Sequence, residues 1–184
     1  SIKLLSYNIM SFGNMKKENG QNPILNYIKN SKADIVCMQE YAGSETAKIH
    51  LNNKEIRQAL KDYPYRHIKQ VGKTGAGSQI ACYSKFPILS ARMLDYQSNY
   101  NGSMVYDIKI GKDTVLLINN HLESNKLTRE DKVVYEDMLK DPKAGKVKSG
   151  IRQLVNKLAE ASAIRSAQAR AIAQEIARSP YPSV

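Results

Sequence analysis

The residues that most constrain the fold form an apolar run, ADIVCMQ, at positions 33–39, in which IVCM is continuous. A strand with one side in solvent alternates apolar and polar residues, whereas consecutive apolar residues are typical of a strand buried on both faces of a sheet. We therefore expect a further layer of structure on each side of this strand. A carboxylate residue, Glu40, directly follows the run.

Six other short segments are rich in β-branched, aliphatic and aromatic residues and are bounded by turn residues, so they predict strands. They are residues 2–9, 65–71, 78–84, 88–94, 103–110 and 113–119. The last two flank Gly111 and Lys112 and predict an antiparallel pair. The glycine-rich segment at 72–77 is predicted as a hairpin turn. It is not a phosphate-binding loop, because Ser-Gln and a strand follow it where that motif needs Lys-Ser/Thr and a helix.

Helices are predicted between these strands and after them. The segment 22–32 carries apolar residues at helical spacing, with Asn22 as the capping residue and Pro23 at the first helical position. Residues 44–62 have mixed helical character, and the charged segment 125–150 is expected to be mobile or partly helical. Residues 151–178 form the clearest helix, with one apolar stripe. Strands and helices together predict the α/β (α+β) class.

Composition sets further bounds. A chain of 184 residues with 42% hydrophobic content is expected to form a single domain over residues 1–184. The net charge of +11 favours an anionic partner such as nucleic acid, a phosphorylated small molecule or an acidic membrane surface, and is equally compatible with a solvated basic surface. Cys37 and Cys82 lie in apolar runs and are expected to be buried thiols.

The sequence contains neither a membrane-spanning apolar run nor the residue order of a signal peptide. The expectation is a soluble domain, cytoplasmic by default. Because the first residue is Ser1, an upstream anchor or signal that has been removed stays open.

Three polar residues at strand ends are candidates for chemistry. The Glu40 carboxylate could bind a hard cation, the Asn8 amide could contact a phosphate or a cation, and the His121 imidazole could contact a phosphoryl group or protonate a leaving oxygen. Each also has an ordinary interpretation when considered alone, as a polar strand end, a turn residue or a structural histidine.

Four segments, taken in their order along the chain, change the interpretation of these residues, and three of the segments contain them. They are LLSYNI with Asn8, DIVCMQEY with Glu40, GSQIACYSKFPI at 77–88, and LINNHLES with Asn119 and His121. This wording resembles the endonuclease/exonuclease/phosphatase superfamily over nearly the whole chain. The resemblance implies the DNase I-like fold, a four-layer α/β sandwich in which two sheets pack face to face with helices outside.

The resemblance also implies a site and a reaction. Glu40 would bind a catalytic Mg²⁺ or Mn²⁺, Asn8 would help hold the metal or the phosphate, Asn119 would support the site, and His121 would contact the scissile phosphate. The reaction would be metal-assisted, in-line attack of water on a phosphodiester or phosphomonoester. Nucleic acid and phosphorylated lipids or small molecules are the expected substrates, and no protein partner is evident.

The chain departs from the superfamily pattern after its last helix. The G-D-x-N motif and the later Asp-His pair, which orient and activate the nucleophile in that superfamily, do not occur in these 184 residues. We therefore expect the N-terminal portion of the domain, a sandwich incomplete at its C-terminal end, little or no catalysis, and exposed edges that favour self-association. The alternative is a non-catalytic binding or regulatory module that keeps the fold.

Overall fold

The computed structural model describes residues 1–43, 51–72, 79–96, 98, 100–140 and 145–184, with only the backbone of 145–149. The chain divides into two compact units, Ser1–His121 with Gln174–Val184, and Leu122–Ala173. A single domain over residues 1–184 stays a prediction. Among the described residues, no helix combines the length and the apolar character needed to cross a bilayer.

The first unit contains two sheets. Their strands are β1 (Leu4–Asn8), β2 (Ile35–Tyr41), β3 (Tyr65–Gln70), β4 (Gln79–Ser84), β5 (Ile88–Met93), β6 (Gly102–Ile110) and β7 (Asp113–His121). The first sheet has the order β1-β2-β4-β3, in which β1 and β2 are parallel and the other pairs antiparallel. The second sheet, β5-β6-β7, is antiparallel throughout.

The described residues also form five helical segments. They are α1 (Met10–Asn14), α2 (Pro23–Ser31), α3 (Asn53–Ala59), α4 (Arg129–Lys140) and α5 (Gly145–Arg178). The cap predicted for α2 is confirmed, because Asn22 Oδ1 accepts a hydrogen bond from the Leu25 amide at 2.9 Å. A reciprocal capping box between Asn52 and Glu55 begins α3.

The two faces of β2 are buried in two different cores, which confirms the prediction from its apolar run. Val36 and Met38 pack toward α2 and α3 in a helix-facing core. Ile35 and Cys37, at the alternate positions, pack in a core between the sheets that includes residues of β6 and β7. Layers of helix, sheet and sheet follow from this alternation, in agreement with the DNase I-like fold class.

The second sheet is built around the predicted hairpin. Gly111 adopts φ +61°, the left-handed conformation that a tight turn between β6 and β7 requires. At the other edge of β7, the backbone of residues 182–184 pairs in parallel with Leu116 and Ile118, with N···O distances of 2.8–3.0 Å. The side chains of Arg92 on β5 and Glu175 form an ion pair in this unit.

The second unit consists of α4 and α5 up to Ala173, with the connection before them. Thr128 and Asp131 bond reciprocally at the start of α4, and Lys157 Nζ lies 2.7 Å from Asp131. The buried apolar side chains of this unit include Leu154 and Ala161. Several large apolar side chains of both helices remain exposed, among them Val133, Leu139 and Val155.

Several sequence boundaries differ from the structure. The helix expected from residue 151 begins at Gly145, and the charged segment before it contains α4, so it is largely helical. Within the predicted helical segment 44–62, α3 occupies Asn53–Ala59, while residues 44–50 lie outside the described residues. Of the turn predicted at 72–77, only Gly72 belongs to the described residues. The strands on its two sides, β3 and β4, are antiparallel, as a hairpin requires.

Candidate active site

The candidate site lies where the parallel strands β1 and β2 end together. Asn8 is paired in register with Gln39, so its side chain is beside the next residue of β2. Asn8 Nδ2 donates a hydrogen bond to Glu40 Oε1 at 2.9 Å. The polar ends of these two strands therefore meet at one edge of the sheet, as parallel pairing requires.

Glu40 occupies a β-bulge. It lies inside β2, one residue before the strand ends, and has φ +51°, which is rare for a residue with a side chain. The pairing of β2 with β4 shifts register between Met38 and Tyr41, on either side of it. Such a conformation costs on the order of 1–3 kcal/mol and is concentrated at functional sites, where bulges redirect side chains. The Glu40 side chain is 36% exposed as a result of this placement.

His121, from the second sheet, lies beside Glu40. It is the last residue of β7, opposite Gly102 on β6, and its side chain is 18% exposed. Its Nε2 atom lies 3.4 Å from Glu40 Oε1. One carboxylate oxygen is therefore approached by an amide from β1 and by an imidazole from the facing sheet.

Asn119 lies deeper, two residues before His121, and is only 2% exposed. Its Oδ1 accepts a hydrogen bond of 2.6 Å from Gln39 Nε2, and its Nδ2 donates to the Ala81 carbonyl at 3.1 Å. Gln39 Nε2 also lies 3.2 Å from Ser6 Oγ. This buried network joins both sheets through the residue that precedes Glu40, and its hydrogen bonds restrict the relative movement of the two strands.

A left-handed turn follows β1 and fixes Asn8. In α1, Ser11 and Phe12 have φ of 52° and 54°, so this turn is of the opposite hand to an ordinary α-helix. The Met10 amide donates to Asn8 Oδ1 at 3.2 Å. Asn22 Nδ2 donates to the Phe12 carbonyl at 2.8 Å, which helps compensate the strain of the turn.

The donor set at Glu40 fits a divalent cation of the magnesium type. Glu40 Oε1 is occupied by Asn8 and His121, whereas Oε2 accepts no hydrogen bond from any described residue. Mg²⁺ commonly takes one or two carboxylate ligands and completes its shell with water and substrate oxygens. In this arrangement both polar atoms of the Asn8 amide are engaged by the protein, so Asn8 orients Glu40.

The structure thus brings together Asn8, Glu40 and His121 by direct contact, and places Asn119 one layer inside them. The sequence interpretation did not include Gln39 in the site, although Gln39 directly precedes Glu40. It could have been identified as a polar residue at the end of an apolar run, because a buried polar side chain needs a hydrogen-bond partner. Across the described part of the chain, no cluster of three or more His, Cys, Asp or Glu side chains suitable for a metal is present.

A family model described as the Endonuclease/Exonuclease/phosphatase family matches residues 5–181. No curated protein matches the chain. Solved structures with partial similarity include a truncated TDP2 from Caenorhabditis elegans, with 21% identity over 78% of this chain and 58% of that one, at a TM-score of 0.46. A family protein from Leptotrichia buccalis has 15% identity over 79% and 63%, at a TM-score of 0.46.

A third similar structure is ANGEL2, described as a 2',3'-cyclic phosphatase, with 21% identity over 73% of this chain and 44% of that one, at a TM-score of 0.46. The chain spans 44–63% of the lengths of these three proteins.

Proposed function

The chain belongs to the endonuclease/exonuclease/phosphatase family, whose members are phosphoric ester hydrolases, and on this premise we propose that it supplies the metal-binding half of a metal-dependent phosphoesterase site. One observation carries the proposal. Glu40 is held in a strained bulge by Asn8 at 2.9 Å and faces His121 at 3.4 Å, and the three residues come from three strands of two sheets.

Glu40 would hold Mg²⁺ or Mn²⁺ through Oε2, the carboxylate oxygen that accepts no hydrogen bond from a described residue. The cation would supply Lewis-acid polarisation of the phosphoryl oxygens and stabilise charge on the leaving oxygen. Asn8 would keep the Glu40 carboxylate in one orientation. Preorganisation of this kind lowers the cost of forming the charged transition state.

His121 would act on the phosphoryl group itself. Its Nε2 lies 3.4 Å from Glu40 Oε1, so the imidazole is beside the carboxylate that would hold the cation. A proton on Nε2 could then be donated to a phosphoryl or leaving oxygen. Asn119 would act indirectly, since it contacts Gln39 and not Glu40.

Nucleic acid is the substrate class that the charge favours. The net charge of +11 would attract a polyanion and raise the rate of encounter. Phosphorylated lipids or small molecules are the competing substrates, and they need fewer basic contacts away from the scissile phosphate.

We expect these 184 residues alone to hydrolyse phosphate esters slowly or not at all. The sequence contains neither a G-D-x-N motif nor a His after position 121. General-base activation of the attacking water needs a suitable group within hydrogen-bond reach, and among the described residues no third His, Cys, Asp or Glu side chain joins Glu40 and His121 in a metal-binding group. A non-catalytic binding module is the outcome if the full-length gene product also lacks these groups.

The test is hydrolysis of bis-p-nitrophenyl phosphate by the full-length gene product with Mg²⁺ or Mn²⁺. Glu40→Gln should lower kcat/KM by more than about 100-fold, because even second-sphere changes at metal sites cost about 10–100-fold. His121→Asn should lower kcat with little change in KM, since its contact is used chiefly in the transition state.

Asp113→Asn is the matched control, because it removes one carboxylate charge from the exposed far end of the strand that carries His121. Its activity should equal that of the unchanged protein. Activity that survives Glu40→Gln would remove Glu40 from the reaction, and a pure rise in KM for His121→Asn would remove His121 from the chemical step.

A further inference from the structure

A polar cavity lies on the helix-facing side of the first sheet, beside α3. Its volume is about 230 Å³, and the residues that line it share a polar or cationic character: Tyr41, Gly43, Asn53, Arg57, Arg66, Ile68, Gln79 and Tyr83. None of these described lining residues is a carboxylate. The cavity shares no residue with the Asn8, Glu40 and His121 group.

Two guanidinium groups converge on this cavity from different elements. Arg57 comes from α3, and Arg66 comes from β3, where it is paired in register with Tyr83. Arg66 is exposed and forms no ion pair or hydrogen bond with any described residue. Burial raises the pKa of both Tyr41 and Tyr83, and the charges of both arginines oppose that rise, so they act on the two phenols together.

The two phenols supply a buried hydrogen-bond donor. Tyr41 and Tyr83 are only 5% and 1% exposed, and their hydroxyl oxygens lie 3.1 Å apart. The pair carries two hydroxyl protons, and the bond between them uses one. No described residue accepts the other, although both side chains line the cavity. A buried donor without an acceptor lowers the stability of the fold by about 1–3 kcal/mol. A ligand that accepts a hydrogen bond from this hydroxyl would remove that penalty.

We propose that this cavity is a second anion site, which binds a phosphate group through Arg66, Arg57 and the hydroxyl proton of the Tyr41–Tyr83 pair. Guanidinium groups match the geometry of phosphate oxygens and form charge-assisted hydrogen bonds with them. The volume is below the roughly 300–1,000 Å³ of pockets for drug-sized ligands, which suits a small oxyanion or the terminal phosphate of a monoester.

The site is separate from the proposed reaction centre in its chemistry as well as its residues. It contains cations and neutral donors, so it needs no metal to bind phosphate. Tyr41 directly follows Glu40 in β2, but its ring packs in the helix-facing core. The register shift at Glu40 places Tyr41 on the same face of the sheet as Met38, three residues earlier.

The test is calorimetric titration of the 184-residue chain with inorganic phosphate, and separately with glycerol 3-phosphate, at constant ionic strength and with a chelator present. Saturable binding is expected for at least one of the two, and comparison of their affinities separates free phosphate from a phosphate monoester. Arg66→Gln should weaken this binding by about tenfold or more, the usual value of a charge-assisted hydrogen bond.

Lys69→Gln is the matched control. It removes one positive charge from the same strand, at a position of opposite parity and therefore on the other face of β3. It should change the affinity by less than about twofold, because exposed charges that are separated from the ligand are screened. Glu40→Gln should leave the affinity unchanged.

Three results would overturn the proposal. The first is an absence of saturable binding of either probe by the unchanged chain. The second is equal weakening by Arg66→Gln and Lys69→Gln, which would mean general attraction to a basic surface. The third is loss of binding only on changing Glu40 or His121, which would place phosphate at the reaction centre. Thermal melts of each variant confirm folding, and Arg66 is suitable because its exposed side chain forms no hydrogen bond or ion pair with a described residue.

Discussion

The space between the two sheets has an apolar part and a polar part, and they are organised differently. The apolar part is filled by side chains such as Ile35, Ile80 and Met104, packed without hydrogen bonds. The polar part contains Gln39 and Asn119, each bonded to named partners at 2.6–3.2 Å. Apolar packing tolerates small shifts, whereas hydrogen bonds specify distance and direction.

This difference explains why the candidate reaction centre lies where it does. The apolar part stabilises the sandwich by removing surface from water, at about 25 cal/mol per Å². The polar part contributes less net free energy but fixes the strand end that bears Glu40. A carboxylate that must hold a cation in one geometry gains from this second kind of support.

Removal of Asn119 should have the largest effect on stability. Asn119→Ala removes the acceptor of the 2.6 Å hydrogen bond from Gln39 Nε2 and the side-chain donor to the Ala81 carbonyl. Because each buried, unpaired polar group costs about 1–3 kcal/mol, we expect the free energy of unfolding to fall by about 2–4 kcal/mol, measured by urea denaturation.

Cys37→Ala is the control from the apolar part, where one sulfur atom is lost and no partner of a strong hydrogen bond is left behind. We expect a loss of about 1 kcal/mol. A larger loss for Cys37→Ala than for Asn119→Ala would mean that the polar network does not specify the structure more strongly than the apolar packing.

A smaller effect is expected from pH at the boundary of the apolar part. Burial, and then the Lys69 charge, lowers the pKa of His67 below its usual 6.5. Its Nδ1 is buried without a partner in the described residues, and its ring contacts that of Tyr106 with centroids 5.6 Å apart. Native His67 thus stays neutral at a pH where the unfolded chain binds a proton.

The stabilising contribution of neutral His67 is complete above pH 6.5 and is lost as the pH falls through the lower native pKa. The free energy of unfolding should therefore decrease between pH 6.5 and 5, and His67→Phe should decrease less over the same interval. Equal pH dependence in both proteins would assign the effect to other groups.

Much of the fold could be predicted from local patterns. The apolar run at 33–39 predicted a strand covered on both faces, and Asn22 with Pro23 predicted the start of α2. The turn at Gly111 predicted the β6–β7 pair. These features depend on residues close in sequence, so their signals survive without tertiary context.

The features that shape the site could not be predicted in the same way. Nothing local marks Glu40 for φ +51°, because neither glycine nor asparagine occupies that position and the bulge depends on pairing with β4. The left-handed turn at α1 relies on a contact from Asn22, ten residues beyond Phe12. The partners of Gln39 lie 33 and 80 residues away.

The most direct test of the central claim is Mn²⁺ binding to the 184-residue chain, followed by electron paramagnetic resonance. If the bulge presents Glu40 Oε2 as the metal ligand, Glu40→Gln should weaken binding by more than about tenfold. Asn8→Ala, which removes the orienting bond, should weaken it less, while the Asp113→Asn control should match the unchanged chain. Equal Mn²⁺ affinity in Glu40→Gln and the unchanged chain would contradict the account.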